Sequence, residues 1–407
     1  MQVIYLNNKV RIGMLYVSIF FTLFASNMVA AILLGEVVKY GFWAWGLFLL
    51  FFINGKFAKK NLNILCGILI FRCIIMLLQI GEQIELSSST INSILAIGFY
   101  LNTIIQIAQL CTAEEYANIY LNLMFGISIV SLICFFILMS PLRDQILSIA
   151  QIDQKFIHNY IHLWGLDNNL WKIELFTRNS GPWWEPGAFQ CFITYAMFMI
   201  MSGRCKNNKW LRIKFIVLII TWVTIQSTTG YLIMVFVLLF MFPTAMEIIF
   251  QCPYETISQK QKTVLFTVVL ILIVIFFVTI GYANISEKLS EGNGSSTIRF
   301  NDVFSSFEIS MERPFIGVGE DLAPYYETYE IVNNSAALLI IAISYGWPYL
   351  LFFVMVLFSG IIHFFKSGLF PAIGAGILLL VLCMTEGIVE LPIMFVFFAE
   401  YKNGRLA

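Results

Sequence analysis

Long apolar runs broken by short polar stretches make up most of the chain. A bilayer crossing takes about 20 predominantly apolar residues in a helix. On that measure, spans are predicted near 12–34, 37–54, 62–80, 90–110, 118–139, 187–203, 211–227, 230–250, 263–283, 335–360, 370–388 and 390–401. Two polar breaks are far longer than the others, at 140–186 and 284–334. The pattern predicts an all-α polytopic membrane protein with about 11–12 transmembrane helices. Its regions are a five-span part (1–139), a first long loop (140–186), a four-span part (187–283), a second long loop (284–334) and terminal spans with a tail (335–407). The first run follows Lys9 and Arg11 and is longer than a signal-peptide core, so it reads as an uncleaved anchor.

Composition narrows the class further. The chain is 59% hydrophobic and 12% charged, against about 45–50% and about 25% in soluble domains. That excludes a soluble enzyme and a disordered scaffold. Lys+Arg and Asp+Glu both number 24, so no net charge draws a polyanion, and no nucleic-acid partner is expected. The eight cysteines show no CxxC or zinc spacing and read as small buried hydrophobes. His158 and His162 share a helical face but lack a third metal ligand.

Lys and Arg concentrate on one set of alternate breaks: Lys9, Arg11, the 55–61 and 204–214 segments, Lys260, Lys262, Lys366, Lys402 and Arg405. By the positive-inside rule this side is cytoplasmic, with both termini inside and both long loops outside. In the first loop, Leu142, Ile146, Ile149, Phe156, Tyr160 and Leu163 suit an amphipathic surface helix. In the second, Gly292–Ser296 reads as a hinge. Ser296 or Thr297 then caps a helix with an apolar face of Phe300, Phe304, Phe307 and Met311.

Chemistry-bearing residues cluster where these loops meet the membrane. The densest run includes Arg178, Trp183, Trp184, Glu185, Pro186 and Gly187. Pro186 suits a helix's first turn, with Glu185 at its N-terminus. The plain reading is a capping carboxylate and an interfacial tryptophan belt. The functional reading is a base (Glu185), a phosphate partner (Arg178) and a sugar platform (Trp183 or Trp184). A second cluster carries Arg299, then Glu312-Arg313-Pro314, with Gly317 and Gly319 in a turn before Glu320. Its arginines either pair with nearby acids or join Arg178 on one pyrophosphate. Ser227-Thr228-Thr229-Gly230 is a tight turn, and Asn333-Asn334 precedes an apolar helix broken at Gly346-Trp347-Pro348. Arg72 stands within a span, where a charge needs a partner; Glu386 and Glu390 are the candidates.

The order of these motifs resembles Wzy-type O-antigen polymerases, relatives of the O-antigen ligases, most clearly over about 175–350. The resemblance implies a GT-C-like membrane glycosyltransferase that works without metal, cofactor or nucleotide sugar. Donor and acceptor are undecaprenyl-pyrophosphate-linked glycans at the outer face of a bacterial inner membrane, with a chain-length regulator as a plausible partner. It implies Glu185 and Arg178 as catalytic residues, with Arg299, Arg313, Trp183, Trp184, Asn333 and Asn334 at the substrate. Ligases typically have a His beside the late Asn and an Arg at the Ser-Thr-Gly turn; here Asn333-Asn334 and Thr228-Thr229 stand instead. These departures favour a polymerase over a ligase acting on lipid A-core. A flippase or transporter is the rival class, disfavoured by the absence of a convincing internal repeat.

Overall fold

The computed structural model describes residues 7–52, 58–84, 88–142, 145, 156–158, 163–165, 178–206, 208–276, 294–329, 331 and 336–402. Apart from one small ribbon, the regular elements are helical. They are α1 (Asn8–Ala25), α2 (Val29–Leu34), α3 (Glu36–Leu49), α4 (Lys59–Gly81), α5 (Ser88–Leu110), α6 (Ala113–Leu138) and α7 (Pro186–Met201). Then come α8 (Leu211–Ile225), α9 (Thr228–Phe240), α10 (Phe242–Phe250), α11 (Gln259–Phe276), α12 (Gly294–Glu312), α13 (Ala323–Thr328), α14 (Ala337–Tyr345), α15 (Trp347–Phe364) and α16 (Leu369–Thr385). Among the described residues, five helices are long and apolar enough to cross a membrane, or six if the bent α9–α10 pair counts as one. The chain is a helical polytopic membrane protein.

Fewer continuous spans form than the hydropathy predicts, because several are broken by identifiable residues. The first apolar run stops at Ser26 and resumes at Val29. Between α9 and α10 the axis turns by 75°, with Pro243 in the first turn of α10, where no N–H is required. Gly346, at φ 82°, separates α14 from α15, and Pro348 opens the new helix. The segment read as a span at 390–401 is no α-helix: it holds a short 3-10 turn, Pro392–Phe397, entirely buried. Such backbone is tolerated at membrane depth only inside protein, and its polar groups bond across the bundle. Ile393 N donates to Ser26 Oγ at 3.1 Å, and Glu400 and Asn61 exchange bonds of 2.6 and 2.9 Å.

α7 is the hub. All sixteen of its residues are buried, and it packs on α6, α8, α9 and α16. α11 is the opposite case, with Val264, Phe266, Leu270, Ile271 and Val274 all exposed, as a lipid-facing helix requires. The bundle has two distinct ends. At one, Lys402 N reaches the Ala108 and Cys111 carbonyls, and a Thr112–Glu115 capping box starts α6. At the other, Met28 and Trp183 form an isolated antiparallel bridge, with Val29 N donating to Pro182 O, and Asn179 ties to α6 and α8.

Two loop expectations change. Phe156–His158 and Leu163–Gly165 pair as an antiparallel ribbon, so the surface helix drawn through them does not form there, and His158 lies on a strand. Phe, Ile, Leu and Trp favour pleated pairing as readily as an amphipathic face. The second loop's helix does form, but it begins at Gly294, so Gly294–Ser296 belong to its first turn and not to a hinge. Its orientation is reversed as well. Asp302, Ser306, Ile309 and Ser310 are buried, while Phe304, Phe307 and Met311 are exposed. The packed face lies against α14, where small side chains allow close approach, and Phe307 meets the Trp347 ring edge-on instead, 5.9 Å between centroids.

Candidate functional site

The turn after α12 is built backbone against backbone. Val318 N donates to Ile343 O at 2.7 Å, and Trp347 N to Pro314 O at 2.8 Å. Gln79, on α4, donates to the Ile316 and Ser344 carbonyls at 2.6 and 2.8 Å. Gly317, at φ 71°, lies so close to α14 that a Cβ would stand 2.5 Å from the Ile343 carbonyl oxygen. Only glycine fits both that φ and that approach. The predicted Pro-Gly-Gly turn is therefore real, and it delivers Glu320 to Tyr345.

Glu320 joins a buried charge cluster centred on Arg72. The Arg72 guanidinium donates to Glu390 Oε1 at 2.6 Å, to the Tyr345 and Tyr349 hydroxyls at 2.7 Å each, and to Ser93 Oγ at 2.9 Å. Its face stacks on Tyr345, 4.0 Å from the ring centroid. Glu320 lies 4.0 Å from Arg72 and accepts a short bond from the Tyr345 hydroxyl. A fully buried guanidinium is tolerable only with this degree of pairing. Beside the cluster is a cavity of about 190 Å³, lined by Glu320, Ser344, Tyr345, Gly387 and Glu390 among others. Burial first, and then the Glu390 carboxylate, push the Glu320 carboxyl up to about 7, against the pull of Arg72.

The first loop's motif sits beside the same connecting segment. Asn179 accepts from Ser131 Oγ at 2.6 Å and Gly181 N at 3.0 Å, and donates to Thr224 Oγ1 at 2.9 Å. Pro182 O accepts from Val29 N at 2.8 Å. Trp183 is fully buried, stacked 4.1 Å from Phe192, and donates to Ser26 O at 3.1 Å. Its ring faces two packing partners, Phe189 and Phe192, which leaves Trp184 as the tryptophan of the pair with exposed surface. Trp184 is half-buried and donates to Glu185 Oε1 at 2.8 Å. Glu185 caps α7 by position, yet its side chain makes no capping bond. Glu386 lies directly over Gly187, where any Cβ would overlap its carboxylate.

Glu386 and Glu390 thus belong to one short stretch, between α16 and the 3-10 turn, that meets the first motif directly and shares Arg72 and a cavity with Glu320 of the second. Glu386 meets the start of α7, and Glu390 meets Arg72 and the cavity. Of the two partners considered for Arg72, Glu390 is the one used. The predicted arginines are held by different helices. Arg178 adjoins the Asn179 anchor on α6 and α8, and Arg313 pairs at 3.6 Å with Glu82 at the end of α4. Arg299 is on the second turn of α12, with its side chain outside the described residues, as are Asn333 and Asn334. Ser227 is the N-cap of α9, accepting from Gly230 N at 3.2 Å, so the Ser-Thr-Thr-Gly turn has a structural role. Tyr345 and Tyr349 carried no sequence role; their four-residue spacing was the available sign. No family model, no curated protein and no solved structure matches the chain.

Proposed function

We propose that the protein is a membrane glycosyltransferase that polymerises undecaprenyl-pyrophosphate-linked oligosaccharide units into O-antigen or a related surface polysaccharide. The work is done at the outer face of the bacterial plasma membrane, with both termini in the cytoplasm. One observation carries this reading. The two motifs of the resemblance, around Glu185 and around Glu320, are linked through the 386–390 segment: Glu386 lies over Gly187, and Glu390 shares Arg72 and one cavity lining with Glu320. Carboxylates, tryptophan and arginine at one end of a bundle are what transfer between lipid-linked sugars needs.

In this mechanism an acceptor hydroxyl attacks the anomeric carbon of the donor's reducing-end sugar. Glu185 takes the hydroxyl proton as the new C–O bond forms. The bond to undecaprenyl pyrophosphate breaks, and the leaving diphosphate keeps the electron pair. Arg178, Arg299 and Arg313 supply the positive charge that stabilises it. Trp184 covers an apolar sugar face.

The test is the length of glycan on the lipid carrier in a strain carrying Glu185→Gln. Loss of a general base costs about 10²–10⁴ in rate. Single units should therefore still be exported while long chains disappear. Full polymerisation by the variant would refute the base assignment. In a strain lacking the protein, failure of export would point to a flippase, and long chains stranded on the lipid to a ligase.

A further inference from the structure

At the opposite end of the bundle from Glu185 lies a cavity of about 750 Å³ between α4 and α15. Its water-side wall carries Lys60, Arg204, Lys366 and Lys402. Lys366 is paired with Glu114. Arg204 is held in place by its Nε and Nη2 bonds to the Phe364 and His363 carbonyls, at 2.5 and 3.2 Å, and by its stacking on Phe364. The lining therefore sets four basic side chains, Lys60, Arg204, Lys366 and Lys402, against two acidic ones, Glu114 and Glu400, and stays net positive.

The other wall is apolar. Ile64, Phe352, Met355 and Val356 line it, and Met355 is 62% exposed. At 1.5 Å of rise per residue, Phe352 lies about 18 Å along α15 from Phe364. The cavity is thus cationic at the water and continues as an apolar groove toward the middle of the membrane. We infer that it binds an anionic phospholipid, with the headgroup phosphate on Lys60, Arg204 and Lys402 and one acyl chain along Ile64, Phe352 and Met355. Charge complementarity selects an anionic headgroup, since basic pockets between helices at a membrane surface hold such lipids. The length of the apolar groove selects a lipid over a free phosphate.

The experiment is native mass spectrometry of the full-length protein in neutral detergent, titrated with phosphatidylglycerol or with phosphatidylcholine of the same chains. Phosphatidylglycerol is expected to be retained in preference. Each basic residue near such a headgroup contributes a factor of about five. Lys60→Gln with Lys402→Gln should therefore weaken its retention about 25-fold and leave phosphatidylcholine unchanged. Met355→Trp, at an exposed position and with no change of charge, should block the groove and lower retention independently. Equal retention of the two lipids would overturn the proposal. So would unchanged phosphatidylglycerol retention in both variants, or full displacement by millimolar inorganic phosphate with Met355→Trp silent.

Discussion

Arg72 is fully buried and holds Glu390, itself 45% exposed, at 2.6 Å, whereas Arg313 is 37% exposed and stands 3.6 Å from Glu82, itself 64% exposed. Both are arginine–glutamate pairs made by α4 or its end, so local chemistry is not what separates them. The difference is solvent. Around Arg72 every donor must find a protein acceptor, and two tyrosines, a serine and two glutamates surround it. Around Arg313 water shares the charge, so the guanidinium stays available to a ligand. A buried charge of this kind organises the fold, and an exposed one is free to meet substrate.

Arg72→Met should have the largest effect. Glu390 is 45% exposed and water can take over its charge, but the buried Tyr345 and Tyr349 hydroxyls lose a charged donor, at about 1.5–3 kcal/mol for each such bond. Thermal unfolding in detergent reads this as a large drop in midpoint. Adding Glu390→Met should restore little of the loss, since the exposed carboxylate is not the group left stranded. A stable single variant would break the contrast with Arg313.

Next in size is the effect of pH through Glu320. Its carboxyl is raised to about 7 from 4.5, so its ionised form is disfavoured in the folded protein. The stabilisation from the protonated form is complete below about 4.5 and is lost as pH rises through about 7. That window corresponds to roughly 3 kcal/mol. Unfolding midpoints should fall between pH 5 and 8 in the parent and stay level in Glu320→Gln. A parent midpoint independent of pH would remove Glu320 from the buried set.

The smallest stability change is expected for Arg313→Gln. Exposed pairs contribute about 0–1 kcal/mol, so the unfolding midpoint should barely move. If Arg313 meets the pyrophosphate, lipid-linked glycan chains should still shorten. A variant with both normal stability and normal chain length would take Arg313 out of the site.

Much of the site was legible in the chain itself. Pro186 after Glu185 fixed a helix start, because proline needs no N–H there. Pro314, Gly317 and Gly319 announced a turn whose φ values only glycine adopts without strain. Arg72 announced a carboxylate partner, because a charge within a span cannot stay unpaired. Which carboxylate answered it was not legible, since Glu386 and Glu390 are alike in type and both far from Arg72 in sequence. Trp183 and Trp184 were equally indistinguishable until one was stacked on Phe192 and the other was left beside Glu185.

Apolar length and Gly/Pro punctuation are local properties, and by themselves they determined that this is a helical membrane protein and where most of its helices begin. They did not determine that α7 is central while α11 is peripheral, or that the segment at 390–401 is irregular. In lipid the hydrophobic effect favours neither the inside nor the outside of a bundle, so hydropathy carries no such information. Tertiary structure decided these points through close packing and hydrogen bonding between residues as distant as Arg72 and Glu390, 318 positions apart.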